Sequence, residues 1–171
     1  MADIPLNYRR IVTDLARYSV KYVLTGSVAA ALYGVPVNPR DFDIAPELSE
    51  QNLANLAAML AEWGAKPKYI PNWEGGLTLE QIEAWQPTPA TAENLGHLME
   101  TPYGLLDIVP KISGEYPDLM KRAQHVESFG ATVMIAHIDD LIATLKFSTQ
   151  KHKERKPHME EARHALTILK S

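Results

Sequence analysis

Apolar residues recur every three to four positions at Ile4, Tyr8, Ile11, Val12, Leu15 and Tyr18, and that period predicts a helix over residues 4–18. Residues 21–25 form a short run with β-strand character. Gly26-Ser27 then opens a short helix over 28–33, stopped by Gly34 and Pro36. Residues 41–45 read as the next strand. The clearest helix spans 49–63, with Ser49 as its cap, Leu53, Leu56, Leu60 and Trp63 on one face, and Gly64 as its stop. A third strand is expected over 66–70. Residues 71–95 are rich in Pro, Gly, Thr and Trp, and give only a short helix at 79–85. A hairpin follows, with 97–101 and 105–109 joined by a Pro-Tyr-Gly turn. A helix at 116–123, small strands at 126–129 and 132–135, and helices at 138–147 and 159–169 complete a mixed α and β pattern.

Composition narrows the class. The chain has 171 residues, 46% of them hydrophobic, which suits one domain with a real core. Its division is a core over about 1–136 and C-terminal helices over about 137–171. Cysteine is absent, which removes disulfides and thiolate metal sites. MADIPLNYRR has no apolar h-region, and no run of about 18 apolar residues occurs, so a cytoplasmic protein without a membrane partner is expected. The net charge of -4 hides an asymmetry. Residues 146–171 hold seven Lys/Arg against three acids, and the rest ten against eighteen, so the tail is +4 and the body -8.

The segment VLTGSVAAALYGVPVNPRDFDIAPE carries the chemistry. Side chains alternate along a strand, so Asp41 and Asp43 share one face while Phe42 and Ile44 turn to the core. GLLDIVP repeats the arrangement, with Leu106 and Ile108 flanking Asp107. Buried strands do not carry carboxylates without something to neutralise them. Neighbouring strands lie about 4.8 Å apart, so three such groups come within reach of one divalent cation. Gly26 permits close backbone approach, helix-start N–H groups receive phosphate, and Ser27 adds a hydroxyl. Together they read as a metal-dependent site for nucleoside triphosphate chemistry.

Each feature alone has a plainer meaning. Gly-Ser is usually a turn or cap, D-x-D a solvated strand end, and Asp107 a partner for a buried cation. Their combination on successive apolar strands is what carries the reading. His152, His158 and His164 are six apart, which spreads them around a helix rather than along one face, and they are read as surface residues. Trp63, Trp73 and Trp85 are read as packing residues, Trp73 in NWEGG also as a surface for a base. The chain has no Walker A sequence, G-x-S-x-G or H-E-x-x-H.

Taken in order, TGSVAAALYG, PRDFDI, TPYGLLDIVPKISGEYPDLM and HIDDLIATLK resemble the nucleotidyltransferases of the DNA polymerase β superfamily. They are most similar to its minimal AbiEii-like members, which include toxins of toxin–antitoxin pairs. The resemblance covers most of the chain and is weakest over residues 71–96. It implies an α+β nucleotidyltransferase fold, a small mixed sheet flanked by helices with a C-terminal helical segment. It implies Asp41, Asp43 and Asp107 as catalytic ligands of two Mg²⁺ ions, and Gly26, Ser27 and Lys146 as nucleotide-binding residues. It also implies transfer of a nucleoside monophosphate from an NTP such as ATP to a hydroxyl acceptor. In toxin-type relatives that acceptor is tRNA or another RNA, and a cognate antitoxin is a partner. Two positions depart from the pattern: Ser27 replaces a second glycine, and His158 stands where an acid is expected. The other readings are a non-catalytic nucleotide- or partner-binding module of the same fold, and a small-molecule, antibiotic-type transferase.

Overall fold

The alternation seen in the strands is the principle on which the sheet is built. The computed structural model describes residues 4–111, 115–151, 164 and 167–169. The elements are α1 (Tyr8–Arg17), β1 (Tyr22–Thr25), α2 (Gly26–Leu32), β2 (Asp41–Pro46), α3 (Glu50–Trp63), β3 (Lys66–Pro67) and α4 (Leu79–Ala84). They continue with α5 (Ala92–Leu95), β4 (Leu98–Thr101), β5 (Gly104–Ile108), α6 (Tyr116–Arg122), β6 (Gln124–Ser128), β7 (Ala131–Ile135) and α7 (Ile138–Lys151). The strands form one sheet in the order β3-β4-β5-β2-β1-β7-β6. β1 with β7 and β2 with β5 are parallel, and the other neighbours are antiparallel. This is the mixed, helix-flanked sheet of the expected α+β class.

One face of the central strands makes the core. Leu24 lies opposite Ile44 and Ile135, Phe42 opposite Leu106, and Ile44 opposite Ile108. All six are buried. Each such side chain stabilises the fold by roughly 1.5–3 kcal/mol relative to exposure. Asn52 of α3 then fixes where β1 begins and β2 ends. Its side chain donates to the carbonyls of Lys21 (2.9 Å) and Glu47 (2.7 Å) and accepts the Lys21 N–H at 2.7 Å.

The helix ends follow local chemistry. Ser49 accepts from the Asn52 N–H at the start of α3, and Gly64 closes it in the left-handed conformation. α1 starts at Tyr8 rather than residue 4. Pro5 disfavours a helical Ile4, and the Asn7 side chain caps the helix by accepting the Arg10 N–H. The strand expected over 66–70 is only Lys66–Pro67, an edge strand, where the missing N–H of Pro67 is tolerated, and the Lys68 N–H adds one bond to the Leu98 carbonyl at 2.7 Å. α5, capped by Thr91, is too short for any periodicity to reveal. β6 and β7 turn at Phe129 and Gly130, both with positive φ. The helix expected over 159–169 falls mostly outside the described residues.

Candidate active site

β2 sets the first two side chains. Phe42 and Ile44 are fully buried in the core, so Asp41 and Asp43 share the opposite face. The parallel register with β5 then places Asp107 directly beside Asp43 and Leu105 beside Asp41. One carboxylate oxygen from each of Asp41, Asp43 and Asp107 lies within 4.8 Å of the others. Asp41 is buried, and Asp43 and Asp107 are half-buried. Carboxylates this close disfavour one another's charge unless a cation or hydrogen bonds compensate.

On the other side of Asp43, β1 contributes the glycine. Its antiparallel register puts Thr25 opposite Asp43, so the chain leaves the strand at Gly26 beside that carboxylate. Gly26 has φ +69, and a Cβ there would stand 1.7 Å from Asp43 Oδ2. No side chain larger than hydrogen fits. Ser27 follows, half-buried, in the first turn of α2. The N-terminal amides of that turn have no intrahelical acceptor, and the Thr25 side chain makes no capping hydrogen bond to them.

Thr25 is fully buried and belongs to this cluster, a role that sequence pattern does not mark. Its place follows from the β1–β2 register, which sets it opposite Asp43. Lys146 lies on α7, which packs against α2, but its side chain is outside the described residues. So are Lys153, Arg155 and Lys156, and the side chain of Lys151. α7 is anchored at its start by Arg122, which pairs with Asp139 and Asp140, and by the Tyr33 hydroxyl donating to the Ala136 carbonyl at 2.9 Å.

The donor set fits a hard divalent ion. Its three ligand side chains offer only oxygen, and their spacing allows one ion to be shared. Trp63 and Trp85 are buried with their indole N–H groups donating to Asp14 and to the Asn94 carbonyl. Trp73 is 55% exposed. His164 is exposed, and His152 and His158 lie outside the described residues.

No protein-family model matches the chain, and no curated protein matches it by sequence. Solved structures do. The solution structure of the antibiotic-resistance factor ANT(2'')-Ia aligns with 94% of this chain and 80% of that one, at TM-score 0.58 and 15% identity. An antigenic nucleotidyltransferase-like protein from Paracoccidioides brasiliensis aligns over 98% of this chain and 79% of that one, at TM-score 0.53 and 12% identity. At such identities the likeness is one of fold. The chain has the nucleotidyltransferase fold.

Proposed function

We propose that the chain is a magnesium-dependent nucleotidyltransferase that moves a nucleoside monophosphate from an NTP to a hydroxyl acceptor. The observation that carries this reading is the convergence of Asp41, Asp43 and Asp107 within 4.8 Å, beside Gly26. These three would hold one or two Mg²⁺ ions, which when bound stabilise negative charge on the reacting phosphoryl oxygens. The Gly26 and Ser27 amides and the Ser27 hydroxyl hold the triphosphate, with Lys146 as a further contact. Asp107 takes the proton of the acceptor hydroxyl. The acceptor oxygen bonds to the α-phosphorus as the bond to the pyrophosphate oxygen breaks on the opposite side.

The basic tail supports an RNA acceptor, with an antitoxin as partner, as in the toxin-type proteins the sequence resembles. The fold-level likeness to an antibiotic-resistance factor supports a small-molecule acceptor. Either way, Mg²⁺ and NTP together should raise the melting temperature, since both bind the folded chain alone. Ser27→Ala should weaken the effect by roughly 1 kcal/mol, one hydrogen bond. Asp43→Asn should abolish transfer and leave the metal-free fold as stable or slightly more so, because a repulsive charge is gone. The reading fails if none of the four NTPs shifts the melting curve, or if Asp43→Asn transfers at the wild-type rate.

A further inference from the structure

We infer that the outer edge of β6 pairs antiparallel with β6 of a second copy of this chain, joining two sheets into one across a two-fold axis at Val126. The pairing would hold whether or not the chain transfers nucleotides. β6 ends the sheet, and among the described residues no strand lies beyond it. An open edge offers a row of backbone donors and acceptors to a further strand, and proteins commonly blunt it with proline, lysine or a short length. The opposite edge is blunted in that way, since β3 is two residues long and contains Pro67. β6 runs for five residues, QHVES, without proline or lysine.

The hairpin to β7 decides which backbone groups face outward. Ser128 lies opposite Ala131 across a two-residue loop, and both loop residues have positive φ, 55° at Phe129 and 83° at Gly130. That is the type I′ hairpin, in which the pair flanking the loop exchanges both hydrogen bonds. Bonded and non-bonded pairs then alternate. Gln124, Val126 and Ser128 therefore bond to β7, while the N–H and C=O of His125 and Glu127 point away from it. The tip of the hairpin is held against α1. Tyr8 stacks on Phe129 with ring centroids 5.0 Å apart, and a Cβ at Gly130 would meet Arg9 Nη1 at 2.7 Å.

Two such edges match each other. Centred on Val126, each His125 faces a Glu127 and each Gln124 a Ser128 of the second copy. The outward groups of His125 and Glu127 exchange bonds on both sides of a Val126 pair that sits in a non-bonded position. An imidazole then stands across the seam from a carboxylate, twice. Both side chains are exposed, and Glu127 also accepts from the Thr132 hydroxyl of β7. Slipping the register by two residues puts His125 opposite His125 or Glu127 opposite Glu127, and like groups directly opposite are unfavourable. Slipping by one removes the match of donors to acceptors. The register also fixes the faces. Gln124 lies opposite Ile135 and Ile135 opposite Leu24, in the row of Ile44, so Val126 is on the core face and His125 and Glu127 on the face of Asp43. A two-fold axis normal to the sheet keeps that face in common, and both aspartate clusters lie on one side of the joined sheet.

A seam of five residues a side is small, so the dimer should be weak, with a Kd on the order of 10–100 µM. Sedimentation of the full chain should show reversible association toward twice the 19.1 kDa monomer. His125→Pro removes only an outward N–H, spares the bonds to β7 and should leave a folded monomer. His125→Glu sets carboxylate against carboxylate and should weaken association at least tenfold. Adding Glu127→Lys restores opposite charges and should recover it, a rescue that decides the matter even if His125→Pro fails to fold. The chain has no cysteine, so Val126→Cys gives one thiol per chain, which the two-fold axis brings together. Mild oxidation should then yield a disulfide-linked dimer, and Ser128→Cys, set off the axis, far less of it. A chain that stays monomeric at about 0.5 mM overturns the pairing. So does association that His125→Glu leaves unchanged, or equal cross-linking at positions 126 and 128.

Discussion

Gly26 meets two constraints that a substitution would violate at once, and they can be separated by experiment. Its φ of +69 costs a non-glycine residue about 1–2 kcal/mol. The missing Cβ is also the space that Asp43 Oδ2 occupies. Gly34 has φ +94 but nothing within 4 Å of its absent Cβ, so it carries the first constraint alone. Gly26→Ala should therefore lose more stability in urea than Gly34→Ala and should also lose the Mg²⁺–NTP melting shift. Gly34→Ala should keep the shift. Equal behaviour of the two variants in the shift would show that the Gly26–Asp43 contact does not shape the site. The paired aspartates were legible because strand alternation is a local rule. The contact between Gly26 and Asp43 was not, because it depends on the β1–β2 register, and fifteen residues without a hairpin signature separate Thr25 from the start of β2. The place of Thr25 beside Asp43 was hidden for the same reason.

At the scale of elements, α1 and α3 are joined by a buried carboxylate that sequence pattern does not mark. Asp14 is 2% exposed; it accepts from Arg10 Nε at 2.9 Å and from Trp63 Nε1 at 2.7 Å. Burial pushes its pKa up, but the hydrogen bonds from Arg10 and Trp63 and the charges of Arg10 and Arg17 outweigh that. The net pKa is below its ordinary value. Asp14→Ala leaves the buried Trp63 N–H without its acceptor and should cost about 2–3 kcal/mol in urea unfolding. Asp14→Asn keeps an acceptor and should cost less. The sign of the pH effect follows from the lowered pKa: the ionised carboxylate favours the fold above its unfolded pKa of about 4, and that advantage fades as pH falls through the lower folded value. The stability gap between wild type and Asp14→Asn should therefore be full at pH 7 and shrink below about pH 4. A gap independent of pH would mean that charge contributes nothing there. The same scale shows where periodicity succeeds. α3 was legible from Ser49 to Gly64 because it is long and capped at both ends. The start of α1 is less legible, because Ile4 fits the helical period although Pro5 and the Asn7 cap place the first turn at Tyr8. β3 and α5, of two and four residues, are too short to carry a period.

Across the whole molecule, strand order was the least legible property. β2 and β5 are parallel neighbours joined through α3, β3, α4, α5 and β4, and no turn signal announces such a pairing. Charge distribution, by contrast, was legible in full. The body at -8 and the tail at +4 act differently on any polyanion, because phosphate binding is driven by release of condensed counterions. Lys151, Lys153, Arg155 and Lys156 stand within six residues and are the densest basic run in the chain. If the acceptor is a small molecule, binding of RNA should be weak, confined to this run and unrelated to nucleotide binding. Replacing the four with Ser removes the whole +4 of the tail. In electrophoretic assays with bulk tRNA, wild type should retain RNA at 50 mM salt and release it near 200 mM, as expected for a few phosphate contacts. The quadruple variant should bind little at either concentration. Its Mg²⁺–NTP melting shift should match wild type, because Gly26, Ser27 and the three aspartates are untouched. Retention of tRNA by wild type at 200 mM salt, or a nucleotide shift that falls with the tail charges, would make the tail part of the active site and an RNA acceptor the better reading.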